Sequence, residues 1–323
     1  MVQKAPALAD AHADEPSDSG PLIVLNTDGG PPERNGFSWR ANSERIEIHG
    51  ESARGLCNGI YSFLSALGIS WPAPEQEMLP SPQVANLRVY SLSSGANVEG
   101  NVFEPSNYEG KGTVSAPWRR FFPAAKQDLP IIMKKSEAFV DWAARRRYDA
   151  LIFPLSAFAS RSGGRRLNEI AKLAAEYGIS LEAGGRELSS LLPRRLFLLH
   201  RDYFRMEGGR RKKDHHFCPT NPGAIQVICK EGERLFRTAA EAKVFHLWPD
   251  KGAATAWCSC PSCRAFTPAE QNRIGVNAAA DALAQVNPAA CITFFEKRNE
   301  GANVPLRESL YKMEKLPDEK EYH

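Results

Sequence analysis

The chain has 323 residues, 42% hydrophobic and 24% charged, the balance of a globular protein with length for about two domains and a real core. With 41 Lys and Arg against 38 Asp and Glu, the formal net charge of +3 is too even for a dedicated nucleic-acid or membrane-surface protein, so any basic site must be local. No apolar run reaches the roughly 18 residues of a membrane-spanning helix, and residues 1–20 contain no apolar signal-peptide core. As written, the sequence reads as cytoplasmic, or as secreted or periplasmic if a leader has been removed.

Residues 1–20, rich in Ala, Asp, Ser and Pro, hold nothing that can pack and read as a flexible tail. Short apolar stretches at 22–25, 37–40 and 45–49 predict strands, the third with Ile46 and Ile48 alternating with polar residues. Leu56, Ile60, Phe63, Leu64 and Leu67 then recur at helical spacing, so 52–67 predicts a helix with Gly68 as its C-terminal stop. A further strand at 69–71 is closed by Pro72 and Pro74. These elements make a small N-terminal α+β domain over residues 21–90, three or four strands covered by one helix, with Trp71 buried near its boundary.

From residue 91 to 323 strands and helices alternate, the rhythm of a parallel sheet with covering helices. Ser136 can cap a helix carrying Phe139, Val140 and Ala143, which leads into a strand at 150–155. Leu167, Ile170, Leu173, Ala174 and Tyr177 mark a second helix, ended by Gly178 before a strand at 179–183. Asn221 and Pro222 open a third, followed by a strand at 244–248. Thr267 to Glu270 has the form of a capping box, opening a helix towards 286 and then a strand at 291–295. With a first strand near 98–103 the count is five, or six if 303–313 contributes one.

Several phrases carry a family resemblance. They are Arg45-Ile-Glu-Ile-His-Gly50, Gly55-Leu-Cys-Asn-Gly-Ile-Tyr-Ser-Phe-Leu64, Gly68-Ile-Ser-Trp-Pro72, His215-His-Phe-Cys-Pro-Thr-Asn-Pro222, Trp248-Pro-Asp250 and Trp257-Cys-Ser-Cys-Pro-Ser-Cys263, with Asn277 in the helix that follows. Over residues 22–296 the chain resembles the bacterial glycoside-hydrolase-like proteins of the DUF4838 family, whose N-terminal domain is similar to that of α-glucuronidases and family 20 hexosaminidases. The resemblance implies a (β/α)8 TIM-barrel-like second domain that handles carbohydrate, with its chemistry at the C-terminal ends of the strands. About 230 residues remain after residue 94, fewer than the roughly 250 of a typical barrel, so the barrel is expected to be incomplete.

A glycosidase needs two carboxyl groups about the scissile bond. The acids at strand ends are Glu182, Asp250 and Glu296; Asp250 and Glu296 form the candidate catalytic pair, and the alternative for each acid is a structural role. Trp248, Trp257, His215, His216 and Glu182 are the candidate substrate-binding residues, although either indole can equally be packing between helix and strand. The expected substrate or ligand is a poly- or oligosaccharide, acidic if the basic run from Arg194 to Lys213 grips carboxylates rather than serving as a solvated loop. A non-catalytic carbohydrate-binding or interaction protein, or a truncated remnant, is the alternative reading.

Cys258, Cys260 and Cys263 have the spacing of tetrahedral zinc ligands, for which Cys218 or the neighbouring His215 or His216 would supply the fourth position. Such a site would be full and therefore structural. Free or disulfide-bonded thiols are the competing reading, with cofactor or redox chemistry third. No other cofactor is expected, no membrane partner, and nucleic acid only as a minor alternative. No phosphate-binding glycine loop, HExxH or Gly-x-Ser-x-Gly motif occurs.

Overall fold

A computed structural model describes residues 22–31, 35–41, 45–79, 98–99, 113–114, 120–121, 129–250, 256–296 and 302–313. Strands β1 (Leu22–Gly30), β2 (Phe37–Ala41), β3 (Arg45–Ser52) and β4 (Val98–Glu99) form a sheet of order β1-β3-β2-β4, in which β3 runs parallel to β1 and antiparallel to β2. The alternation in β3 sends Ile46 and Ile48 inward, where they meet Phe37, Trp39 and Phe63 in a small core. Phe63 belongs to α1 (Ala53–Ala66), which starts where the Ser52 hydroxyl accepts the Gly55 N–H at 3.1 Å and stops where Gly68 turns to φ +91°.

Three local expectations change. Residues 98–99 are an edge strand of this first sheet, paired antiparallel with β2, and not the first strand of the barrel; residues 100–103 lie outside the described residues. Ser70 meets Met78 in a single bridge and no strand forms at 69–71, because the chain turns through the prolines that follow. Ile60 is only half-buried against the small core. Trp71 is buried as expected, edge-on to Tyr61, and its carbonyl accepts the Trp142 indole N–H at 3.0 Å. Arg54 in α1 donates to the Tyr148 carbonyl, which ties the two sheets together.

The second sheet comprises β5 (Thr113–Val114), β6 (Arg120–Phe121), β7 (Ala150–Phe153), β8 (Ser180–Gly185), β11 (Val244–Leu247), β12 (Cys291–Phe295) and β13 (Leu310–Met313). Between β8 and β11 a two-residue hairpin, β9 (Met206–Glu207) with β10 (Arg210–Arg211), stands apart. The helices are α2 (Leu129–Lys134), α3 (Ser136–Arg145), α4 (Leu155–Ala159), α5 (Arg161–Glu176), α6 (Pro222–Phe236) and α7 (Pro268–Ala284). Asn221 caps α6 and the Thr267–Glu270 capping box opens α7, as expected, whereas Lys135 and not Ser136 occupies the N-cap of α3, since α2 runs almost directly into it.

All seven strands are parallel, in the order β5-β13-β12-β11-β8-β7-β6. From β6 to β13 each new strand is added on the same side of the last, without the reversal that defines a doubly wound sheet. Since parallel crossovers are right-handed, this winding puts the covering helices on one face and makes the other an interior, which is barrel topology. Both faces are filled. Outward, Leu151, Phe153, Phe245, Leu247, Ile292 and Phe294 pack with helix residues such as Ile170, Phe236 and Leu283; inward, Ile152, Trp248 and Met313 cluster against Phe295. The fold is thus α/β, a small α+β unit followed by a TIM-barrel-like sheet that is incomplete among the described residues, where β5 and β6 do not pair. The 303–313 segment does contribute a strand, β13. The strands beyond the expected five or six are β5 and β6, two residues each and too short to show periodicity in sequence.

Candidate functional site

The loops that leave the C-terminal ends of β8 and β11 meet around four sulfurs. Cys218 Sγ lies 3.7 Å from Cys260 Sγ and 3.6 Å from Cys263 Sγ, and the ligand atoms of Cys218, Cys258, Cys260 and Cys263 all fall within 4.8 Å of one another, all four residues buried. A tetrahedral site with metal–sulfur bonds of about 2.3 Å has sulfurs about 3.8 Å apart, so the cluster can hold a metal ion. The fourth member is Cys218, not a histidine. None of the seven cysteines is joined in a disulfide in this structure. The surroundings suit negative sulfur: the Met206 N–H points at Cys258 Sγ at 3.3 Å, the Thr220 hydroxyl lies 3.1 Å from Cys263 Sγ, and Arg211 stands 3.8 Å from Cys258 Sγ. Hydrogen bonds from Cys258 and Cys263 hold the Cys218 thiol far below the usual range, and the resulting thiolate pushes Cys258 and Cys263 up. Gln271 of α7 accepts the Cys258 N–H and donates to the carbonyls of Cys258, Cys263 and Phe266, fixing the knuckle to the helix.

Next to the sulfurs is an aromatic pair. His216 stacks on Trp257 with ring centroids 4.1 Å apart and planes 6° apart, and His215 stands edge-on to His216. His216 has φ +54°, a left-handed conformation uncommon outside glycine, held by its N–H bond to the Ser189 hydroxyl at 2.8 Å and by Arg194, which donates to the His216 and Ser189 carbonyls. Arg194 also feels the charge of Asp250 at the end of β11, while burial lowers its own pKa. Two ring nitrogens of this group, Trp257 Nε1 and His215 Nε2, are buried and have no hydrogen-bond partner among the described residues. Asp250 itself is partly exposed.

The interior face holds a second polar group that the sequence reading missed. His246 Nε2 lies 2.8 Å from Glu182 Oε2, His246 Nδ1 lies 2.5 Å from Thr293 Oγ1, and the Trp248 indole N–H donates to the same hydroxyl at 3.3 Å. Gly184 stands level with His246 in the neighbouring strand at φ +117°, and a Cβ there would meet the His246 carbonyl oxygen at 2.0 Å, so only glycine lets the strands close at this point. The indole can only donate to the Thr293 hydroxyl, and each ring nitrogen of His246 has a polar partner, Thr293 on one side and Glu182 on the other. A histidine and a threonine in otherwise apolar strands were the available signal.

This arrangement assigns the predicted residues to different surroundings. Glu182 (1% exposed) is engaged inside the sheet, and Trp248 (1% exposed) packs there, the alternative its sequence left open. Glu296 is buried just past β12, bound bidentately by Arg273 at 2.9 Å and 2.9 Å, with Lys312 at 3.2 Å. The pairing of His246 with Thr293 sets the register of β11 and β12, so Asp250 and Glu296 both stand just beyond the C-terminal ends of neighbouring strands. Of the basic run, Arg194, Arg205 and Arg211 are used internally: Arg205 is buried and bonded to Asp214, whose pKa it holds well below the usual carboxylate range, and Arg211 donates to the Phe204 carbonyl. Arg195, Arg201, Arg210 and Lys213 are exposed. No helix among the described residues is long and apolar enough to cross a membrane.

No protein-family model matches the chain, and no curated protein matches it. Solved structures do. The chain is similar to a β-N-acetylhexosaminidase at 15% identity, covering 87% of this chain and 63% of that one, with a TM-score of 0.41. It is similar to the GH20 β-N-acetylhexosaminidase of Streptomyces coelicolor A3(2) at 11% identity, covering 88% and 59%, TM-score 0.42. It is also similar to a family 89 glycoside hydrolase from Clostridium perfringens in complex with PUGNAc at 10% identity, covering 90% and 37%, TM-score 0.48. The chain thus spans less than two thirds of the length of each.

Proposed function

We propose that this chain is a glycoside-hydrolase-like protein, of the DUF4838 kind its sequence resembles, that takes a poly- or oligosaccharide at the C-terminal ends of β11 and β12. The observation that carries the reading is the grouping of Asp250, Arg194, His216 and Trp257 at one end of a one-way parallel sheet, with two buried ring nitrogens that have no partner among the described residues. Sugar hydroxyls are the natural complement of such nitrogens, and barrel sites form at this end of the strands. In this reading Asp250 is the essential acid, Arg194 is the cation nearby that feels its charge, and His215, His216 and Trp257 form the wall.

Glu296, the other candidate of the catalytic pair, is already bonded to Arg273 and Lys312. That same engagement favours a second reading, a carbohydrate-binding protein without hydrolysis. A glycan array on the full chain, followed by a hydrolysis assay on every sugar bound, separates the two. Asp250→Asn should abolish hydrolysis, or binding in the second reading, with the thermal midpoint almost unchanged. Unfolding by that substitution would make Asp250 a structural cap and remove the proposal.

The cysteine cluster belongs to the same proposal as a structural zinc site. Four sulfurs within 4.8 Å of one another would fill a four-coordinate ion and leave no position for water, so the ion would contribute to folding and take no part in hydrolysis.

A further inference from the structure

Two loops contribute the sulfurs, and each loop sets one ligand beside a member of the aromatic pair. Cys218 follows His216 by two residues, and Cys258 follows Trp257 directly. Phe217, between His216 and Cys218, packs edge-on to Trp257 at 5.5 Å, and the Gly275 position of α7 has no room for a Cβ beside its ring. Among the described residues the loops are also linked directly: Ser259 donates to the Met206 carbonyl through its backbone N–H and its hydroxyl, both at 2.8 Å, and the Met206 N–H points at Cys258 Sγ. His216 is meanwhile held in a conformation that L-residues keep only where their surroundings over-determine it.

Resting on the zinc reading above, we infer that the ion is the clasp that sets the His216–Trp257 wall, so that metal loading controls whether the candidate saccharide site is formed. Binding exchanges the waters of the hydrated ion for four thiolates; every thiol that binds forms a zinc–sulfur bond and gives its proton to solvent. Nothing is oxidised or reduced. Loading draws residues 216–218 and 257–263 together, and the stacked rings follow because each is within two residues of a ligand. Unloading frees the two loops while the sheet beneath them, which shares no ligand, keeps its packing. Arg211, beside Cys258 and bonded to the Phe204 carbonyl, offsets part of the negative charge that four thiolates bring to one divalent ion.

The test uses the full chain purified without chelator. Zinc and iron are measured per chain, the metal is stripped and restored, and each state is followed by hydrogen exchange and by tryptophan emission in the wild type and in Trp257→Phe. The clasp predicts about one zinc per chain. Stripping should accelerate exchange by about tenfold or more in residues 203–221 and 256–272, leave β7, β8 and α5 protected, and shift an emission component that Trp257→Phe lacks. Restored zinc should reverse all of it. Cys229→Ser, outside the cluster, should bind zinc as the wild type does. Less than about a tenth of an equivalent of zinc would overturn the zinc reading itself. A full equivalent whose removal leaves the two loops and the emission unchanged would overturn the clasp alone, as would unfolding of the whole chain on stripping.

Discussion

Two buried groups of four residues, one inside the barrel-like sheet and the other on the loops beyond its strand ends, differ in one respect. Glu182, His246, Thr293 and Trp248 bond to one another, from indole to hydroxyl to imidazole to carboxylate. Cys218, Cys258, Cys260 and Cys263 are four like groups whose ligand atoms lie within 4.8 Å of one another. A polar group that closes on itself fixes a core; four thiols gathered this closely can hold a cation. The first therefore explains why β8, β11 and β12 keep their register, and the second why two long loops converge.

The contrast can be broken experimentally. The largest effect is expected at the sulfurs: stripping zinc should remove about 4 kcal/mol of stability or more, the linkage expected when free zinc exceeds its dissociation constant by about a thousandfold, read as the fall in denaturation midpoint between metal-loaded and stripped protein. A smaller loss is expected inside the sheet. Thr293→Val leaves the Trp248 N–H and His246 Nδ1 without a partner and should cost about 1–3 kcal/mol in denaturant unfolding, while Thr293→Ser keeps most of it. Zinc content should not change in either variant; if it did, the two groups would be coupled and the contrast would fail. Ile60→Ala lies outside both groups, and because Ile60 is only half-buried the loss should be about 1–2 kcal/mol, below the roughly 2–5 of a fully buried site. Asp250→Asn should change stability by no more than about 0.5 kcal/mol while ending hydrolysis or saccharide binding.

What the sequence revealed follows from how far each signal reaches along the chain. The helix at 53–66, the capping box at Thr267 and the strand at 291–295 are local patterns and were legible as such. The cysteine trio was legible too, and the choice of Cys218 over a histidine needed only the fold. The short strands β5 and β6 carry no periodicity, and residues 98–99 joined the first sheet because pairing with β2 is set by tertiary geometry and not by their own composition. The interior triad was missed for a related reason: Glu182, His246 and Thr293 are separated by 64 and 47 residues, and only the parallel register brings them level. For Glu296 the sequence leaves a catalytic and a structural role open, because its partner Arg273 lies on a helix face whose direction no sequence spacing reveals.

The strand order has a further consequence, which is geometric. β5 and β6 lie at opposite edges of seven strands, yet Val114 and Arg120 are joined by only six peptide units. Laid flat, six inter-strand spacings of about 4.8 Å would set the edges about 29 Å apart, whereas six fully extended peptide units reach about 22 Å. Covalent length alone forbids a flat sheet here. The edges must be drawn round towards each other, leaving a seam narrower than the sheet is wide. The curvature of this molecule is therefore enforced by a tether as well as by side-chain packing, and lengthening that tether is the one change that would let the sheet open while every residue of its core stayed the same.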